Sequence, residues 1–142
     1  MKNEFWAILY VSSAMKDLSL SDVEYFLAQS RKVRMETGIS GIAIIAQNNV
    51  MVVIEGLKDA VKADYEENKK HPAQHSMIKL FDGPIPYQYF ESYPLAFKTI
   101  AQSPYAQLDD FIKPEEKEYL DEILELDGSV PRLIKDFLKN NS

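Results

Sequence analysis

Apolar side chains along this chain recur with two different periods, and the switches between them divide it into segments. Phe5 to Val11 is apolar and aromatic without a breaker, which predicts a strand buried on both faces. The spacing then changes. Val23, Phe26, Leu27, Ser30 and Val33 recur at helical intervals up to a stop near Gly38, and Ser19 with Asp22, or Ser21 with Glu24, can serve as N-cap and N3 partner. Ile39 to Ala46 and Val50 to Glu55 return to β-branched residues. Between them lies Gln47-Asn48-Asn49, so the pair predicts a hairpin with asparagine accommodating the turn. Lys58 to Lys70 reads as a second amphipathic helix with Val61, Tyr65 and Asn68 on one side, ended by His71-Pro72. Met77 to Phe81 and Tyr93 to Ile100 supply two more strands, with Gly83-Pro84 and Pro86 punctuating between them.

The order is βαββαβ with an extra strand, which predicts a ferredoxin-like α+β sandwich: both helices cover one face of a mainly antiparallel sheet, and the other face needs a cover of its own. Residues 101–142 are the natural cover for a body formed by residues 1–100. One helix is expected after Lys113, with Pro114 at N1 and Glu115, Glu116 and Glu118 complementing its dipole, ending before Gly128. A last helix is expected from Ser129, with Pro131 early and Val130, Leu133, Ile134, Phe137 and Leu138 on one face. These helices pack on the open side of the sheet or on a partner.

Composition narrows the class. A chain of 142 residues without cysteine builds one core with no disulfide, thiolate metal site or cysteine nucleophile. The N-terminus has no secretory pattern and the apolar runs, Phe5 to Val11 and Ile42 to Ala46 among them, are far too short to span a bilayer, so the expectation is a soluble cytoplasmic protein without membrane contact. The net charge of −6 is uneven: residues 1–108 carry 12 acidic and 11 basic side chains, residues 109–142 carry 10 and 5. No basic stripe is available to neutralise phosphates, which argues against nucleic-acid binding.

Catalytic patterns are missing. His71 and His75 are four apart, but Pro72 breaks the helix that would align them on a metal, so no metal site is expected. Paired glutamates at 66, 67, 115 and 116 read as solvated helix faces. An acylphosphatase-like hydrolase needs a glycine-rich anion cradle after the first strand; this chain has Ser12-Ser13-Ala14 there and no glycine before Gly38. A non-enzymatic role is expected.

Three segments carry a family pattern: Ile8-Leu9-Tyr10-Val11-Ser12, then Ser30 followed by Gly38-Ile39-Ser40-Gly41, then Val53-Ile54-Glu55-Gly56 leading into Asp82-Gly83-Pro84-Ile85. From about Phe5 to about Phe97 the chain resembles the BLUF family, blue-light sensors that use FAD. The resemblance implies a flavin ring between the two helices beside the sheet, with Tyr10 at the position of the tyrosine that passes an electron and a proton to it. Val52 stands at the position of the photoactive glutamine. A carboxamide donates and accepts and can reverse its polarity, whereas valine has no polar atom. Val33 and Arg34 stand where members place asparagines. Arginine donates but never accepts, and Arg34 is read either as filling part of the pocket or as capping the first helix and pointing to solvent. With less force the resemblance carries over to Ser30, to His75, and to Tyr93 and Leu95 where members have tryptophan and methionine. Spacing alone reads Tyr10 as a buried strand aromatic, Ser30 as a small packing residue and His75 as a loop histidine. The implied function is a regulatory module with a degenerate flavin site that acts by docking on a protein partner or by homo-oligomerisation. The alternative is flavin held by stacking, with altered or lost photochemistry.

Overall fold

The computed structural model describes residues 5–14, 20–46, 49–70, 74–91, 96–100 and 124–140. The apolar run at the N-terminus forms β1 (Phe5–Ala14), and the first helical stripe forms α1 (Leu20–Thr37). Because α1 already includes Ser21, that serine is not its cap; the alternative cap, Ser19, lies outside the described residues. β2 (Ser40–Ala46) and β3 (Asn49–Leu57) form the expected antiparallel hairpin, and α2 (Lys58–Lys70) follows with Val61, Tyr65 and Asn68 buried.

β4 (Gln74–Ile85) is longer than the strand expected from Met77 to Phe81. Gly83 and Pro84 do not end it but pair with Ala7 and Trp6 of β1. Proline is tolerated there because β4 is an edge strand, where an N–H can be spared. β5 (Ala96–Ile100) joins β2 in parallel, giving the order β4-β1-β3-β2-β5 with every other pair antiparallel.

Strand alternation sorts the core into two layers. Ile8, Tyr10, Ala43, Val52 and Ile54 face Val61 and Tyr65 of α2. Ala7, Leu9, Ile42, Ile44, Met51 and Val53 face the other way and meet Tyr89, Phe90 and α3 (Ser129–Asn140). Of the expected cover, the described residues show the last helix on this face. Val130, Ile134 and Phe137 of α3 are buried on that face and Leu133 and Leu138 pack beside them; each fully buried side chain of this kind contributes roughly 1.5–3 kcal/mol. The helix expected from Pro114 falls for the most part outside the described residues. No helix among the described residues is long and apolar enough to cross a membrane.

Candidate functional site

α1 and α2 lie on the same face of the sheet, and a cleft of about 410 Å³ opens between them. Its α1 wall is Tyr25, Gln29, Ser30, Val33 and Thr37, and its α2 wall is Ala60, Ala63, Asp64, Glu67 and Asn68, with Ile39 at the sheet end. Ala60 and Ala63 on the α2 wall leave part of the space between the helices unfilled. The end of α1 is closed by the Ile39 N–H donating to Arg34 O at 3.1 Å and by the Thr37 hydroxyl donating to Val33 O at 3.1 Å. Volume and apolar walls suit a flat small molecule.

Arg34 decides the inner part of the site. Its side chain is 2% exposed and Nη2 donates to Asp64 Oδ2 at 3.1 Å, so it bridges the two helices; the solvent-pointing cap considered from sequence is not adopted. A surface cap fails because position 34 follows Ser30 by one turn and therefore faces α2. Asn68 Nδ2 also donates to Asp64 Oδ2, at 3.4 Å. Burial, together with the charge of Arg34, lowers the Arg31 pKa to about 10. Truncating one member of a buried pair leaves the other charge uncompensated, at a cost of about 3–5 kcal/mol. Arg34→Met is expected to lose that much in urea unfolding, and adding Asp64→Leu should return most of it. If Arg34→Met unfolds at the wild-type midpoint, the pair is not structural.

Tyr10 and Val52 are in register across β1 and β3 and both are buried; Ala43 of β2 pairs with Val52 on its other side. The Tyr10 ring meets Tyr65 edge-on, with centroids 5.5 Å apart and planes at 68°. Edge-to-face geometry places the positive rim of one ring against the negative face of the other.

Among the residues singled out from sequence, the structure gathers Tyr10 and Val52 in the helix-side core and Ser30 and Val33 along the cleft, with Arg34 reaching across it. Val33 is 49% exposed. His75 lies in β4, its backbone paired with Ser13, rather than in a loop before the strand. Tyr93 and Leu95 lie outside the described residues. Two residues carry more than the sequence reading assigned them. Asp64 was missed, although its place four residues before Asn68 on the buried side of α2 is a usable signal. Glu55, known only as part of a motif, is fully buried, and burial raises its pKa from 4.5 to about 7 against the hydrogen bonds it accepts from Phe90, Tyr89 and Ser40.

The sequence profile of a family described as sensors of blue light using FAD, BLUF, matches residues 5–96. No curated protein matches the chain. Among solved structures, the dark state of BlrB, a BLUF protein, is similar with a TM-score of 0.68 at 18% identity, covering 97% of this chain and 100% of that one. The photo-activated state of BlsA gives 0.67 at 17%, covering 88% and 98%. Klebsiella pneumoniae BlrP1, in a complex with calcium and cyclic diGMP, gives 0.71 at 17%, covering 95% of this chain and 34% of that one. At these identities the likeness is one of fold.

Proposed function

The chain belongs to the BLUF family, and from that premise we propose that it is a signalling module that works without the family's glutamine-based light switch. The observation that carries this reading is Val52, buried directly opposite Tyr10. A tyrosine-to-flavin switch needs a side chain there that can reverse donor and acceptor, and an isopropyl group can do neither. Val33 offers no polar atom to a ring edge, and Arg34 is turned to Asp64. The residues present fit the bulk of a flavin ring but not a hydrogen-bond relay on it. What remains is a rigid sandwich that signals by protein contacts, with a partner or a second copy. In this reading residues 1–100 are the sensor-like body and residues 101–142 the appendage through which its state is read.

A second reading is favoured by the cleft itself. At about 410 Å³ and mostly apolar, it is within the size range of small-ligand sites and can hold a ring by stacking. Both readings are tested by purifying the protein from flavin-supplied cells and recording visible absorbance before and after blue light. A colourless protein supports the first reading, and a static flavin band the second. A band that shifts reversibly to the red would overturn the proposal. In a folded Val33→Asn, Arg34→Asn, Val52→Gln triple variant, flavin binding and some light response are expected to appear; a triple variant with native circular dichroism that still purifies without flavin would refute the idea of an intact pocket shell.

A further inference from the structure

The loop of residues 86–91 crosses the end of the sheet and reaches both layers of the protein. Glu55 accepts the Tyr89 N–H on Oε2 at 3.0 Å, and on Oε1 it accepts the Ser40 hydroxyl at 2.9 Å and the Phe90 N–H. Gln88 attaches the same loop a second time. Its Nε2 donates to Ser40 Oγ at 2.8 Å, to Gly38 O at 3.2 Å and to Glu55 O at 3.4 Å. Gly38 is the residue after α1, and its neighbours Thr37 and Ile39 both line the inter-helix cleft.

The far side of the loop is tied to the C-terminal helix. Tyr89 and Phe90 are buried in the layer that α3 covers, and the Tyr89 hydroxyl donates to Asp127 O at 3.3 Å. A Cβ on Gly128 would stand 2.7 Å from that hydroxyl, so the chain just before α3 approaches Tyr89 as closely as a glycine allows. Gly128 O in turn accepts the Arg132 N–H at 3.3 Å, which starts the helix.

We propose that Glu55 is the positioning residue for the C-terminal helix: clamped between Ser40 and the backbone of the 86–91 loop, its carboxylate ties the end of α1 to the seat of α3, so a displacement of α1 at the cleft is passed to the opposite face of the sheet. The coupling runs through hydrogen bonds with fixed partners at each step, a contiguous network from the end of α1 to the seat of α3. It does not depend on whether the cleft holds flavin. Any ligand or partner that moves the last turn of α1 acts on the same tie.

Hydrogen exchange of the full-length protein, read by mass spectrometry over residues 128–140, tests this. Glu55→Gln puts an amide donor against backbone donors and loosens the loop; Tyr89→Phe removes only the hydroxyl. Val61→Ala, in the helix-side core, serves as the control, compared at denaturant concentrations that equalise global stability. The α3 amides are expected to exchange at least about 10-fold faster in Glu55→Gln than in the control, and about 3-fold faster in Tyr89→Phe. Equal α3 exchange in Glu55→Gln and Val61→Ala at matched stability would overturn the proposal. Should Glu55→Gln not fold, Tyr89→Phe decides by the same comparison.

Discussion

Gly41→Ala is expected to destabilise the protein by at least about 4 kcal/mol, the range reached by severe single substitutions, and to lower its melting temperature by roughly 15 °C. A Cβ at position 41 would stand 1.8 Å from the carbonyl oxygen of Val53 and 2.9 Å from its carbon. Those are backbone atoms of the paired strand, and they cannot move without parting β2 from β3. The residue also has φ near +157°, which side chains rarely adopt. The Arg34 guanidinium sits 3.5 Å from the same point, so parting the strands also disturbs the inter-helix ion pair. Gly83→Ala provides the contrast. A Cβ there meets the tip of the Phe81 ring at 3.3 Å, and a ring can turn aside, so a loss below about 1 kcal/mol is expected. Thermal melts of the two variants side by side check the argument, and comparable losses would refute it.

The stability of the wild-type protein is expected to fall by about 3 kcal/mol as pH rises from 4.5 through 7 to 8, and Glu55→Gln is expected to remove that slope. The folded pKa of Glu55, about 7, lies above its ordinary 4.5, raised first by burial and also by the charge of Glu91 on the same loop. Between those two values the folded state holds a proton that the unfolded chain has released. The stabilisation is therefore complete below pH 4.5 and lost as pH passes the folded value. Tyr89 on the same loop has its pKa raised mainly by burial and keeps its proton throughout this window. Asp82, held at about 2 by Lys79, has the opposite sign: its contribution is present above pH 3.8 and is lost below, outside the window. Every other titratable group is common to both proteins, so the difference between wild type and variant isolates Glu55. Urea unfolding at half-unit pH intervals measures it, and parallel curves would show that Glu55 is not the group responsible.

Much of the fold is legible in the sequence because it follows from local periodicity. α2 has the bounds expected from its stripe, α3 begins at Ser129 as its capping and proline position indicate, and the β2–β3 hairpin follows from two β-branched runs. β4 was legible only in part. Gly83 and Pro84 read as punctuation, and they remain in a strand because position at the sheet edge, which no local pattern records, relieves Pro84 of its missing N–H. At the first helix the local rule allowed two caps, Ser19 or Ser21, and the helix bounds, which include Ser21, leave only Ser19, itself outside the described residues.

By itself the sequence determined the family and the two-layer sandwich, and through the resemblance it led to the expectation that Val33 and Val52 stand at positions the family fills with polar side chains, because these are statements about residue identity and short-range spacing. Only the tertiary structure decided what Arg34 and Glu55 do. The partner of Arg34 is Asp64, thirty residues away on another helix, and two of the donors that hold Glu55 come from a loop more than thirty residues on. Whether a charged side chain is solvated or buried depends on the groups that chain closure brings to it, and for these two residues those groups are set by the fold and not by their neighbours in sequence.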